Sequence, residues 1–423
     1  MAFRDHLGRA RTIEQPTSCI FDVFEASIES GHEFLLFDNI PEAPGHRLAL
    51  NIMTRERLSI ALGVAAVDLV DLLGKAMVNS AQPLHIEAQH APVMQACQES
   101  VDLRKLPIPW HYPEDRGRYM SASIVIAEYD GQRNVSFHRQ FLRDANHVVA
   151  RLVPRHLRTM LDTARAAGET IPIAIVNAPD PVVLLAAAMS FDHPVDELSI
   201  AAYLHDEVYG RPLEVVTLEN GVIVPADSEY AMAAHITLDD DEEGPYVDIT
   251  GTLDGTRQEP VFAITSVHHR IDPVFHGLIP AGSEHRCLMG LPRAPSIKQA
   301  VSKVVECVDV FLTEGGCGWL SAVVSIRPRT DEDGRAAIAA ALEGHRSMKQ
   351  VIVVDDDIDI SDPVRVEWAL MTRWQPDEDT VILSGQKGSS LDPSRGEDGL
   401  TAKVGFDATI PVGADRSEFT TVR

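Results

Sequence analysis

Two acids frame a tight turn in the stretch Glu243-Gly-Pro-Tyr-Val-Asp248, five residues apart, between the acidic run Asp239-Asp240-Asp241-Glu242 and the strand-like Ile249-Thr250-Gly251-Thr252. A Gly-Pro pair stops a helix and fixes a bend. Carboxylates on either side of such a bend can point into one cavity, where burial and mutual repulsion raise one pKa and keep a proton available near neutral pH. A solvated acidic loop has the same pattern, and the pair alone leaves both readings open.

Other residues carry comparable ambiguity. Asn134-Val-Ser-Phe-His-Arg139 sets an amide oxygen able to ligate a hard cation near a guanidinium able to grip a carboxylate, although strand-end hydrogen bonding accounts for the same residues. His156 follows Pro154 at a helix start, where backbone N–H groups favour phosphate. Glu197 after Asp196 reads as a first-turn acid stabilised by the helix dipole. His268-His269-Arg270 and His285-Arg286 are basic enough to meet an anionic substrate, and strand alternation turns only one of His268 and His269 inward. Asp355-Asp356-Asp357 fits a strand-end turn with a helix cap at Ser361 or Asp362 better than a metal cage. The chain has no G-x-G-x-x-G after a strand, no P-loop and no G-x-S-x-G, which removes the usual grounds for nucleotide-fold redox, kinase or serine-hydrolase chemistry.

The elements that must position these residues follow from periodicity. Residues 1–90 alternate helical and strand patterns, and the proline-rich Leu106-Pro107-Ile108-Pro109-Trp110 reads as a connector. Ser121 to Tyr129 and Asn134 to Phe141 read as strands, with Asp130-Gly131 as a hairpin turn between them. Helices are expected over Arg155 to Ala167, Pro181 to Met189 and Glu197 to Leu204. The strand density from Leu213 to Val267 implies a barrel or strongly curved sheet. Ile297 to Leu312 has apolar residues at helical spacing. The β-α-β-α-β order that follows predicts a doubly wound α/β domain.

At 423 residues, with 45% apolar and 24% charged residues, the chain is sized for two or three domains with ordinary cores. A net charge of -26 argues against a nucleic-acid surface. The N-terminal residues lack an apolar signal region, no stretch reaches the ~18 apolar residues of a membrane span, and the five cysteines form no C-x-x-C pair, so no membrane association and a cytoplasmic setting are expected.

Several segments follow one another in a specific order: Pro107-Ile108-Pro109-Trp110 with Asp115-Arg-Gly117, Asn134 to Arg139, Glu197 with Ala201-Ala202, Val224-Pro225-Ala226 with Glu229, Glu243-Gly-Pro to Gly251, His269-Arg270 with Asp272-Pro273, Val354 to Asp357, and Lys403 with Gly405 and Asp407-Ala408-Thr409. In that order and spacing they resemble the UbiD family of reversible decarboxylases that use prenylated FMN. The resemblance spans nearly the whole chain. It implies an α/β (α+β) architecture with an N-terminal α/β region (1–105), a central split β-barrel flavin-binding domain (106–295), a linker helix (296–316) and a C-terminal doubly wound α/β oligomerisation domain (317–423).

The resemblance also implies roles. Asn134, His156 and Glu197 match positions that hold Mn2+ (or Mg2+) against the cofactor phosphate, with K+ close by. Ser136, Phe137, His138, Arg139, Arg155 and Lys403 fall at cofactor-binding positions. Arg139, Glu243 and Asp248 match an acid/base network in which Arg139 holds the substrate carboxylate, Asp248 protonates the carbon that loses CO2, and Glu243 sets their ionisation. His276, His285 and Arg286 are placed to meet a second polar group of the substrate. The implied substrate is an aromatic, heteroaromatic or α,β-unsaturated acid. A flavin prenyltransferase would supply the cofactor, and a homodimer or homohexamer is the implied assembly. Departures from the family pattern are Asp248, where Glu is commoner, and Tyr246-Val247, where Phe-Gly is frequent. A subunit that needs partners for activity, or a plain FMN oxidoreductase, is the alternative.

Overall fold

The computed structural model describes residues 2–420. The chain divides into two compact units: one runs to Val64 and resumes over Ala76–Leu288, and the other comprises Ala65–Lys75 and the chain from Met289 onward. No helix among the described residues is long and apolar enough to cross a membrane.

The first unit is built on a nine-stranded sheet whose pairings are antiparallel. Its local logic is visible in the expected hairpin. Ile124–Tyr129 is apolar and β-branched, Asp130 and Gly131 both adopt positive φ (50° and 71°), and Gln132–Phe137 pairs back from Tyr129↔Gln132. Two successive left-handed residues give the turn whose twist suits a right-twisted hairpin.

Along the sheet the strands run Tyr119–Met120, Gln140–Leu142, His147–Ala150, Arg257–His269, Tyr230–Glu243, Ile171–Asn177, Ile124–Tyr129 and Gln132–Phe137. Gln132–Phe137 is therefore one edge, while Gln140–Leu142 lies one strand from the other. Only His138 and Arg139 separate them in the chain, and three peptide steps span at most about 11 Å. The sheet must curl until its two edges nearly meet, which is the split barrel. Arg139 sits in the seam.

A single apolar cluster joins Phe37, Leu48 and Leu50 of the N-terminal region to Ile175, Met232 and Phe262 of the barrel. These residues share one core. Strand Val274–His276 pairs in parallel with Arg47–Leu50, tying the chain after the barrel to the N-terminal sheet.

The second unit has a five-stranded sheet in the order Glu306–Leu312, Ser321–Arg327, Gln350–Asp355, Leu400–Ala408, Thr380–Lys387. The three central strands are parallel and the two outer ones antiparallel, with helices Asp333–Gly344 and Pro363–Arg373 as crossovers. The stretch expected to form one helix over Ile297 to Leu312 forms helix Ala294–Val301 and then strand Glu306–Leu312. Its second half, Val308 to Leu312, also satisfies strand alternation, and pairing with Ser321–Arg327 decides between the two periods. Helix Leu69–Ala76, far away in sequence, belongs to this unit as well. Leu69 and Leu73 are buried there, and Asp71 pairs with Lys298 at 2.6 Å.

Candidate active site

The long strand Tyr230–Glu243 ends on Glu243, and the Gly244-Pro245 turn leads into a short hairpin that pairs Tyr246 with Asp254 and Val247 with Leu253. Gly244 has φ +86°, and a Cβ there would lie 2.6 Å from the Gly255 carbonyl oxygen, so the turn requires glycine at this position. Arg116 braces the turn, its backbone N–H donating to the Pro245 carbonyl and its guanidinium to Glu242 and the Gly244 carbonyl.

Arg139 reaches this turn from the barrel seam. Its Nε and Nη2 donate to the two oxygens of Glu243 at 2.8 and 2.9 Å, Nη1 donates to Asp248 Oδ2 at 2.5 Å, and Nη2 also donates to Asp254 Oδ2 at 2.8 Å. Glu243 is fully buried, while Arg139 retains only 9% side-chain exposure. Burial opposes the guanidinium's charge, but the hydrogen bond and charge of Glu243, joined by the charges of Asp248 and Asp254, outweigh it and raise the Arg139 pKa. Its ring neighbour is Tyr246, 4.7 Å below the guanidinium, where the aromatic face favours the cation.

The hairpin explains why the acids converge. Tyr246 faces Asp254 across the pair, and Asp248 is two residues beyond Tyr246, so all three project from one face. Asp254 is also gripped by Arg257 through two bonds of 2.7 Å. Burial pushes its pKa up, but Arg257 and Arg139 together hold it down at about 2. Behind the turn, Tyr119 donates to Glu243 Oε1 at 3.1 Å, and burial raises its phenol pKa. Asp115 accepts the Val247 N–H at 2.7 Å and is pushed up by burial to about 6.

Residues 85–283 match the model of the 3-octaprenyl-4-hydroxybenzoate carboxy-lyase Rift-related domain, and residues 286–408 match that family's C-terminal domain. The chain is 40% identical over 418 residues to the anhydromevalonate phosphate decarboxylase of Methanosarcina mazei, covering 97% of this chain and 96% of that one. The chain belongs to the UbiD family. It is 26% identical to the gallate decarboxylase of Lactiplantibacillus plantarum, across 96% and 87% of the two chains. Its fold superposes on the UbiD-class enzyme HmfF from Pelotomaculum thermopropionicum, solved in complex with FMN, with a TM-score of 0.95 at 32% identity, covering 100% and 97% of the chains. The expected family and fold class are borne out, and this UbiD-family protein is a carboxy-lyase.

The other residues singled out in this UbiD-family chain fall into separate places. Asn134 and Glu197 meet: Asn134 Nδ2 and the Val135 N–H donate to the Glu197 carboxylate at 3.1 and 2.8 Å. Glu197 is 4% exposed, and burial pushes it up to about 7. Ser136 bridges Asn134 Oδ1 and His138 Nε2 at 2.8 and 2.9 Å; His138 is buried and held at about 4 by that burial. Phe137 is half-buried at the strand end. Arg155 donates to Ser190 and His156 opens helix His156–Ala167, which has no side-chain cap. Among the described residues no three His, Cys, Asp or Glu side chains form a metal-holding group, and the expected trio contains only two such residues.

His285 is half-buried, with Nδ1 accepting the Ala281 N–H; desolvation lowers its pKa, and Asp248 and Arg139 are its principal charged neighbours. Arg286 follows it on helix Ser283–Gly290. His276 is fully buried with Nε2 on Glu284 Oε1 at 2.8 Å, while the Glu284 carboxylate also accepts the backbone N–H groups of Asn51, Ile52 and Met53. That environment is a loop clamp. Lys403 lies in the second unit, where Nζ donates to the Arg346 carbonyl at 2.6 Å. Sequence reading passed over Asp254, Arg257, Tyr119 and Asp115 as site members. The one available signal was spacing: Asp254 stands six residues after Asp248, an even interval that a hairpin returns to the same face.

Proposed function

We propose that this carboxy-lyase removes CO2 reversibly from an α,β-unsaturated acid of the anhydromevalonate phosphate type, with prenylated FMN as cofactor. The observation that carries the reaction type is Arg139 buried between Glu243 and Asp248. The substrate class is drawn from the relatives: anhydromevalonate phosphate decarboxylases of Methanosarcina mazei and Methanothermobacter thermautotrophicus are 40% and 37% identical across 97% of this chain. The name denotes a dehydrated 3-hydroxy acid, hence an enoate bearing a phosphate ester, and this narrows the broader expectation that included aromatic and heteroaromatic acids.

The cofactor reading draws on HmfF, whose structures contain FMN in one case and prFMN in another. The chain's residues fit such a group. The uncapped N-terminus of helix His156–Ala167, beside Arg155, suits a phosphate. Glu197, a buried carboxylate whose amide and backbone donors are neutral, suits a divalent cation that would restore its charge. With the family resemblance, Asn134, His156 and Glu197 are the residues that would hold manganese or magnesium, with potassium nearby. When bound, prenylated FMN supplies the electron sink for the charge left by departing CO2.

Arg139 would orient the substrate carboxylate. Asp248 keeps 17% side-chain exposure, meets Arg139 through Oδ2 alone and accepts the Ile249 N–H on Oδ1 at 2.6 Å, and as the more exposed of the two acids it is the one assigned to hand a proton to the substrate carbon. Glu243, buried and bidentate, fixes the guanidinium and cannot exchange protons with solvent directly. Assembly as a homodimer or homohexamer is part of the same proposal. The test is co-expression with a flavin prenyltransferase, mass and metal analysis of the purified protein, and CO2 release from anhydromevalonate phosphate compared with gallate. Plain FMN without a prenyl adduct, together with no CO2 from either acid, would overturn the proposal.

A further inference from the structure

Arg139 is nearly saturated. A guanidinium has five N–H donors, and here Nε is spent on Glu243, Nη2 on Glu243 and Asp254, and Nη1 on Asp248. One Nη1 N–H is left, whereas a two-point grip on a substrate carboxylate needs two donors. Some acid already on Arg139 must yield. Glu243 is fully buried and bidentate, so releasing it would strand a carboxylate. Asp248 is the acid assigned to the proton. Asp254 differs from both: its two oxygens are held by Arg257 at 2.7 Å each, so it remains paired after letting go of Arg139.

We propose that Asp254 is a positioning residue that occupies the substrate carboxylate's place on Arg139 Nη2 and gives it up on binding, with Arg257 retaining it. The inference rests on the reading of Arg139 as the carboxylate grip. The Asp254–Arg257 pair lies at positions i and i+3 across the Gly255 turn, and Arg257 keeps 38% side-chain exposure, so the pair has room to move outward together. Asp254 is firmly ionised beside two guanidiniums, so the exchange is of one carboxylate for another with no proton required. The number of carboxylates on Arg139 is the same before the acid arrives and after.

The test is a double-mutant cycle on the cofactor-loaded enzyme with anhydromevalonate phosphate, reading KM separately from kcat. Asp254→Asn weakens the occupant and lowers KM by about fivefold, and Arg257→Gln leaves Asp254 with Arg139 alone and raises KM by about fivefold, the size of one ordinary net hydrogen bond. In the double variant the Arg257 effect vanishes, because there is no aspartate left to retain. Additive effects in the cycle would instead mean that both residues act through bulk charge, and the proposal fails. A rise in KM for Asp254→Asn also overturns it. Asp254→Ser, with the same expected sign, serves if the Asn variant does not fold. Wild-type enzyme that releases no CO2 from any acid overturns the functional proposal and this one together; normal wild-type turnover with the wrong KM pattern overturns only this one.

Discussion

Glu243 holds Arg139 with both carboxylate oxygens, at 2.8 and 2.9 Å, whereas Asp248 meets it through one oxygen at 2.5 Å. The asymmetry sets apart two acids that look alike in the sequence. Asp248→Asn keeps the shape and removes the acid, so CO2 release should fall by roughly 10²–10⁴-fold, the usual worth of a general acid, while flavin stays bound. Headspace CO2 and the visible spectrum of the purified variant check both halves. Near-normal turnover would end the proton-donor assignment.

Glu243→Gln should behave differently. It leaves a buried guanidinium short of its main counter-charge, and breaking such a pair costs roughly 3–5 kcal/mol. Urea unfolding should show that loss as an earlier midpoint with unchanged slope, alongside lost activity. Asp248→Asn, at a partly exposed acid with one bond to Arg139, should lose far less stability.

Asn134→Ala and Glu197→Ala are expected to lose metal and flavin together, because the cation would link the protein to the cofactor phosphate. Elemental analysis and flavin absorbance on the same preparation test this. A variant that retains stoichiometric flavin without metal would separate the two sites.

Burial holds His111 and His138 down at about 4, below the ordinary histidine value of about 6.5. The folded state keeps both neutral where the unfolded chain takes up protons. Their contribution is thus present above about pH 6.5 and is lost as pH falls toward 4, at up to roughly 1.4 kcal/mol per pH unit for each histidine. Unfolding midpoints measured from pH 8 to 4 should fall across that window, and His111→Phe should flatten the slope by its share. An unchanged slope in that variant contradicts the burial argument.

Gly244→Ala meets two obstacles, a φ of +86° and a carbonyl 2.6 Å from the new Cβ. A shift of the turn moves Glu243 and Asp248 at once, so activity should drop along with about 1–3 kcal/mol of stability. Activity surviving intact in a folded Gly244→Ala protein would show that the turn adjusts freely.

The acid pair, the Asp130-Gly131 hairpin and the C-terminal alternation of strands and helices were legible because each depends on local pattern. The convergence of Arg139 with Glu243 came only from resemblance, since residues 104 positions apart are joined by sheet closure rather than by spacing. Asp254 was passed over because Asp254-Gly255 has the signature of an ordinary turn, and its second role appears only when Arg139 arrives from the seam. The stretch after Val301 was read as helix because valines at 301, 304, 305 and 308 satisfy helical spacing; the neighbouring strand Ser321–Arg327 supplies the pairing that spacing cannot show. Helix Leu69–Ala76 carried no mark of its unit, since what assigns it is a distant partner at Lys298.

The two-residue link between Phe137 and Gln140 has a consequence for engineering. It is the covalent strap across the open side of the barrel, and Arg139 is one of its two residues. Lengthening the strap by even one residue would either slacken the closure or slip the register of Gln140–Leu142, which turns that strand's side chains to the opposite face. Loop grafting or domain insertion can be attempted at many exposed turns of this chain, but here length is as constrained as residue identity.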